Sequence, residues 1–69
     1  SRGEQKMERT IVIKDRMDES YIIGKVYTNH SMSNDELLEY AGLTLNDEGI
    51  WTNGDGEWTS EDVITEYED

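Results

Sequence analysis

Cysteine is absent from this chain. That removes a thiol nucleophile, a disulfide framework and any cysteine-ligated zinc site. No apolar run approaches the roughly 20 residues that a membrane-spanning helix needs. The polar opening Ser1-Arg2-Gly3-Glu4-Gln5-Lys6 has no signal-peptide core. These absences point to a cytoplasmic protein that makes no use of a membrane. The largest absence is of positive charge. From Val26 to Asp69 there is neither lysine nor arginine, while the same stretch carries twelve carboxylates. All six basic residues (Arg2, Lys6, Arg9, Lys14, Arg16 and Lys25) precede it beside five acids, so the two parts carry +1 and −12 and the chain −11.

Sixty-nine residues make one domain at most, and small domains bury a modest share of their chain. A hydrophobic content of 33% with this net charge sits near the disordered range. Two tryptophans and four tyrosines nevertheless supply large side chains to bury. The expectation is a flexible segment over residues 1–8, with no periodic apolar face, followed by a single acidic domain over 9–69.

The β-branched run Thr10-Ile11-Val12-Ile13-Lys14 reads as a strand, and Asp15 to Ser20 as a turn. Tyr21 to Thr28 reads as a second strand, with Gly24 marking a bulge or a close neighbouring backbone. Alternation puts Ile11 and Ile13 on one face of the first strand. On the second it sets Tyr21, Ile23, Lys25 and Tyr27 against Ile22 and Val26, without saying which face is core. After a loop at Asn29 to Met32, Ser33-Asn34-Asp35-Glu36 has the capping-box pattern of a helix start. The helix should run from about Asn34 to Ala41 and bury Leu37, Leu38 and Ala41. Gly42 supplies its left-handed end, and Leu43 packs back on the last turn. Asn46 to Gly49 and Asn53 to Gly56 read as turns around short strands at Ile50 to Thr52 and Glu57 to Thr59. Ser60 to Tyr67 fits a helix stripe capped by Thr59 or Ser60. Three consecutive β-branched residues, Val63 to Thr65, favour a strand. The fold class is therefore α+β, a small antiparallel sheet of ββαββ type with one short capped helix packed on it.

Candidate chemistry is sparse. His30 is the one side chain that titrates near neutrality unaided, and as a base it would need Ser31 or Ser33 with Asp35, a cluster that any polar loop produces by chance. Asp47, Asp55 and Glu57 among glycines suggest calcium, but Trp51 falls where the first carboxylate of a calcium loop must be, and Asp62 replaces its last glutamate. Asn29-His30-Ser31 matches the glycosylation sequon, a pattern too short to carry weight without a secretory signal. Trp51 and Trp58, seven residues apart around a glycine turn, are either an exposed anchor pair for a partner or core cover. Neither enzyme activity nor a cofactor is expected.

The acidic body is the remaining feature to explain. Ordinary surfaces mix both signs, and one sign over 44 residues accepts self-repulsion. Such a surface repels nucleic acid and anionic lipid and attracts a basic protein. B-DNA presents about one charge per 1.7 Å of axis, and alternate strand residues stand roughly 6.6 Å apart, so clustered carboxylates can offer a comparable array.

On these grounds the chain resembles the phage-encoded acidic DNA-mimic proteins, which block DNA-binding proteins of the host. The resemblance rests on size, on the body from Val26 to Asp69, and on acids such as Asp35, Glu36, Asp47, Glu48, Glu61, Asp62 and Glu66. More narrowly it is similar to the Bacillus phage inhibitors of the nucleoid protein HU. That likeness implies a homodimer occupying the basic DNA-binding arms of an HU-like partner in the host bacterial cytoplasm. The phosphate substitutes expected are Asp35, Glu36, Glu39, Asp47, Glu48, Asp55, Glu57, Glu61 and Asp62. The alternative is an acidic adaptor that binds a protein partner unrelated to nucleic acid through its tryptophan hairpin.

Overall fold

A computed structural model of the chain describes residues 8–28 and 31–68. The polar opening and all but the last residue of the segment 1–8 expected to be flexible lie outside the described residues, as do Asn29, His30 and Asp69, and with them the sequon asparagine and the lone histidine.

The architecture is α+β, with one short helix and two three-stranded antiparallel sheets. The first sheet has the order β2-β1-β6, from β1 (Arg9–Asp15), β2 (Ile22–Thr28) and β6 (Val63–Glu68). The second has the order β3-β4-β5, from β3 (Thr44–Leu45), β4 (Trp51–Thr52) and β5 (Glu57–Trp58). The short strands thus form a sheet of their own rather than extending the hairpin, and only the last strand returns to it. Thr44 and Leu45 carry no period of their own, since pairing with Thr52 and Trp51 is what makes them a strand.

β1 is central, so Ile11, Val12 and Ile13 are all buried. The turn that follows is built by carboxylates. Asp15 accepts from the Met17 amide at 2.9 Å, and Asp18 accepts from the Ser20 amide at 3.1 Å and hydroxyl at 2.6 Å. Gly24 adjoins the expected bulge, and its close neighbour is a side chain rather than a backbone. The register passes from Ile13 opposite Gly24 to Lys14 opposite Ile22, leaving Ile23 as the bulged residue. The extra residue reverses the alternation, which is why Ile23 and Val26 are both in the core while Ile22 and Tyr27 face out. A Cβ on Gly24 would lie 2.9 Å from the Cβ of Ala41, so this glycine is where the helix meets the sheet.

The helix, α1 (Asn34–Tyr40), begins with the expected box. The Glu36 amide donates to Ser33 Oγ at 3.2 Å, and the Ser33 amide donates to Glu36 Oε1 at 2.9 Å. It ends on Gly42 at φ 97°. There the Gly42 amide donates to the Glu39 carbonyl at 3.0 Å and the Leu43 amide to the Leu38 carbonyl at 3.1 Å, the paired bonds of a Schellman end. Leu43 is thereby turned into the core. The ambiguous last segment is a turn and then a strand. Thr59 caps a single 3₁₀ turn, Ser60–Asp62, through a second capping box, and the β-branched residues continue as β6.

The core joins Ile11, Ile13, Ile23 and Val26 of the hairpin to Leu37, Leu38, Leu43, Trp51, Trp58 and Val63. Polar ties cross the same seam. Asn34 Nδ2 donates to the Ser60 carbonyl at 2.9 Å, and Arg16 Nε to the Glu61 carbonyl at 2.8 Å. Among the described residues no helix is long and apolar enough to cross a membrane.

Candidate functional site

Residues 31–62, comprising α1, the second sheet and the 3₁₀ turn, hold nine carboxylates and no basic residue. These nine are the expected phosphate substitutes. All are exposed, but the fold divides them into two groups.

Three are occupied in holding the fold. Asp35 accepts the indole N–H of Trp51 at 3.0 Å, and Glu36 closes the box at the start of α1. Asp62 accepts the Thr59 amide at 2.9 Å and the Thr59 hydroxyl at 3.0 Å. Those two bonds, the amide first and the hydroxyl second, hold the Asp62 carboxyl below its ordinary value, with a smaller contribution from the Arg16 charge. Glu36 was recognisable as a cap from its spacing alone. Asp35 and Asp62 needed the tertiary structure.

The other six are Glu39, Asp47, Glu48, Asp55, Glu57 and Glu61. Their carboxylates make no hydrogen bond or ion pair among the described residues. The adjoining turns are organised by amide side chains instead. Asn46 Oδ1 accepts from the amides of Glu48 at 2.8 Å and Ile50 at 3.0 Å, and Asn53 Oδ1 from those of Asp55 at 2.8 Å and Gly56 at 3.1 Å. The charged tips are therefore left to solvent. Asp55 and Glu57 belong to this free set, and among the described residues no three ligating side chains converge as a metal site.

The described cations all lie on the hairpin, and each is engaged. Lys14 pairs with Glu66 at 2.9 Å and Lys25 with Glu68 at 3.2 Å. Arg9 stands 4.8 Å over the Tyr67 ring, and Arg16 donates to the Glu61 and Val63 carbonyls. Tyr27, on the same sheet, has its proton held more tightly than usual because its hydroxyl donates to Glu8, whose charge adds to the effect. Glu66 and Glu68 are thus spent on lysines across the outer face of the first sheet. Among the described residues the six free carboxylates of the anionic half make no ion pair, with Arg16 the one cation bonded to that half, through the Glu61 carbonyl.

The tryptophan hairpin is not an exposed anchor. Trp51 and Trp58 are each 6% exposed, and the Trp58 indole donates to Asp15 at 3.3 Å while its ring meets Tyr21 at 5.8 Å. The reason is register. Trp51 lies opposite Trp58 on one face of the second sheet, and that face is turned into the core.

Compared with protein-family models, curated proteins and solved structures, the chain matches none.

Proposed function

We propose that this chain is a DNA mimic. It binds a basic DNA-binding protein of the HU nucleoid type in the cytoplasm of a bacterial host and blocks that protein's access to DNA, performing no chemistry. One observation carries the reading: six exposed carboxylates on α1, the second sheet with its turns, and the 3₁₀ turn have no side-chain partner among the described residues, while every described cation is occupied on the hairpin. A fold under no demand for negative charge gains by interspersing lysines among such acids. A partner rich in lysine and arginine relieves the repulsion on binding, and the same field steers the encounter.

The reading assigns the homodimer contact to the outer face of the first sheet. The pairs Lys14–Glu66 and Lys25–Glu68 cancel there, and Ile22 and Tyr27 are exposed beside them, so two copies meet without like charges opposed. The adaptor reading loses its anchors, because both tryptophans are buried.

The test is titration of a purified HU-type protein with this chain at rising ionic strength. Tight binding at low salt that weakens steeply as salt screens the carboxylates is the expected result. An absence of binding at low salt sinks the proposal.

A further inference from the structure

Helical spacing sorts α1 into two faces. Leu37 and Leu38 are buried and Ala41 is half-buried, so Asp35, Glu36, Glu39 and Tyr40 form the outward face. Glu36 and Tyr40 are four residues apart, as are Asp35 and Glu39, which makes each pair neighbours along the helix surface. Tyr40 therefore has one carboxylate one turn away, that of Glu36, while Asp35 and Glu39 stand at other angles around the helix. The Glu36 carboxylate is held in position by the Ser33 amide.

Tyr40 differs from the other tyrosines. Tyr21 packs against Trp58 and accepts from Asn53, Tyr27 donates to Glu8, and Tyr67 carries Arg9 over its ring. Tyr40 is 68% exposed, and its side chain has neither a ring contact nor a hydrogen bond among the described residues. Charge mimicry alone has no use for it, since a phenol ring is no substitute for a phosphate.

Resting on the mimic reading, we infer that the Tyr40 ring is the docking point for a cationic side chain of the partner. An arginine guanidinium is the best fit. Its plane lies over the negative face of the ring while its fork of N–H groups reaches the Glu36 carboxylate one turn away. Charge complementarity selects this partner. The quadrupole of the ring and the Glu36 carboxylate attract the same sign, and an ammonium supplies the charge but not the stacking plane. Such a contact is short-ranged. It adds affinity that persists when salt has screened the carboxylates, and it lets the partner prefer this chain to DNA on grounds other than charge count.

The experiment measures binding of a purified HU-type protein to the parent, Y40A, Y40F and E39Q chains between low and high salt. Thermal melts confirm that each variant folds, and the exposure of Tyr40 makes it safe to truncate. Y40A should bind roughly three- to thirty-fold more weakly at every salt concentration, with the salt slope unchanged. Y40F, which keeps the ring, should stay within about twofold of the parent. E39Q should flatten the slope. If Y40A binds as the parent does while the parent shows its steep salt dependence, this inference fails and the mimic reading stands. If the parent does not bind at low salt, the mimic reading fails and takes this inference with it.

Discussion

Neutralising three of the free carboxylates should stabilise the fold and weaken binding at once. The variant E39Q/D55N/E57Q leaves every hydrogen bond described above in place, because none of these three carboxylates makes one among the described residues. Two unit charges 10 Å apart in water repel by about 0.4 kcal/mol, which 0.1 M salt reduces to about 0.15 kcal/mol. These three acids share residues 31–62 with six other carboxylates and no lysine or arginine. Three neutralisations therefore release about 1 kcal/mol at low salt, and most of that gain disappears at high salt. Urea unfolding followed by tryptophan fluorescence reads the change, since Trp51 and Trp58 are buried. With a denaturant slope of about 1 kcal/mol per molar for so small a domain, the midpoint should rise by about 1 M. Against an HU-type protein the same variant should lose about 1–3 kcal/mol at low salt, at the usual worth of exposed ion pairs. If the variant is destabilised, these carboxylates serve the fold and the division of the acids into two groups is wrong. If it is stabilised and binds unchanged, the free acids are not the contact surface.

Other substitutions test the seams that hold the anionic half in place. Gly24→Ala should destabilise by about 1–3 kcal/mol through its clash with Ala41, and Ala41→Gly should recover part of that loss in the double variant, both by urea unfolding. Ser33→Ala, which removes the acceptor for the Glu36 amide, should cost about 1 kcal/mol in the same assay. Asp62 has a folded-state pKa below its unfolded value, so its contribution is present above the ordinary aspartate range and is lost as pH falls through the lowered value. An acid titration of stability should therefore show a shallower decline for Asp62→Asn than for the parent in that window, and parallel curves would contradict the assignment.

Much of the scaffold was legible in the chain because its signals are local. The Ser33–Glu36 box, the Gly42 end and the inward turn of Leu43 depend on residues within one or two turns of helix, and all appear as read. What was not legible depends on pairing across the fold. Alternation cannot show that a bulge at Ile23 reverses the phase of β2, nor that Thr44 and Leu45 become a strand by meeting Thr52 and Trp51. The nine candidate acids were visible by their charge, but composition treats them as equal. Only the indole of Trp51 distinguishes Asp35 from Glu39 one turn later, and only the turn at Thr59 distinguishes Asp62 from Glu61.

The most direct test of mimicry is displacement of DNA. Labelled duplex DNA is bound to an HU-type protein at low salt, this chain is added in steps, and fluorescence anisotropy follows the release of the DNA. The account predicts full release at stoichiometric amounts of the chain, with the effect fading as salt rises and E39Q/D55N/E57Q needing several times more protein. DNA that stays bound while the chain joins the complex, or a chain that leaves the complex untouched, would contradict it.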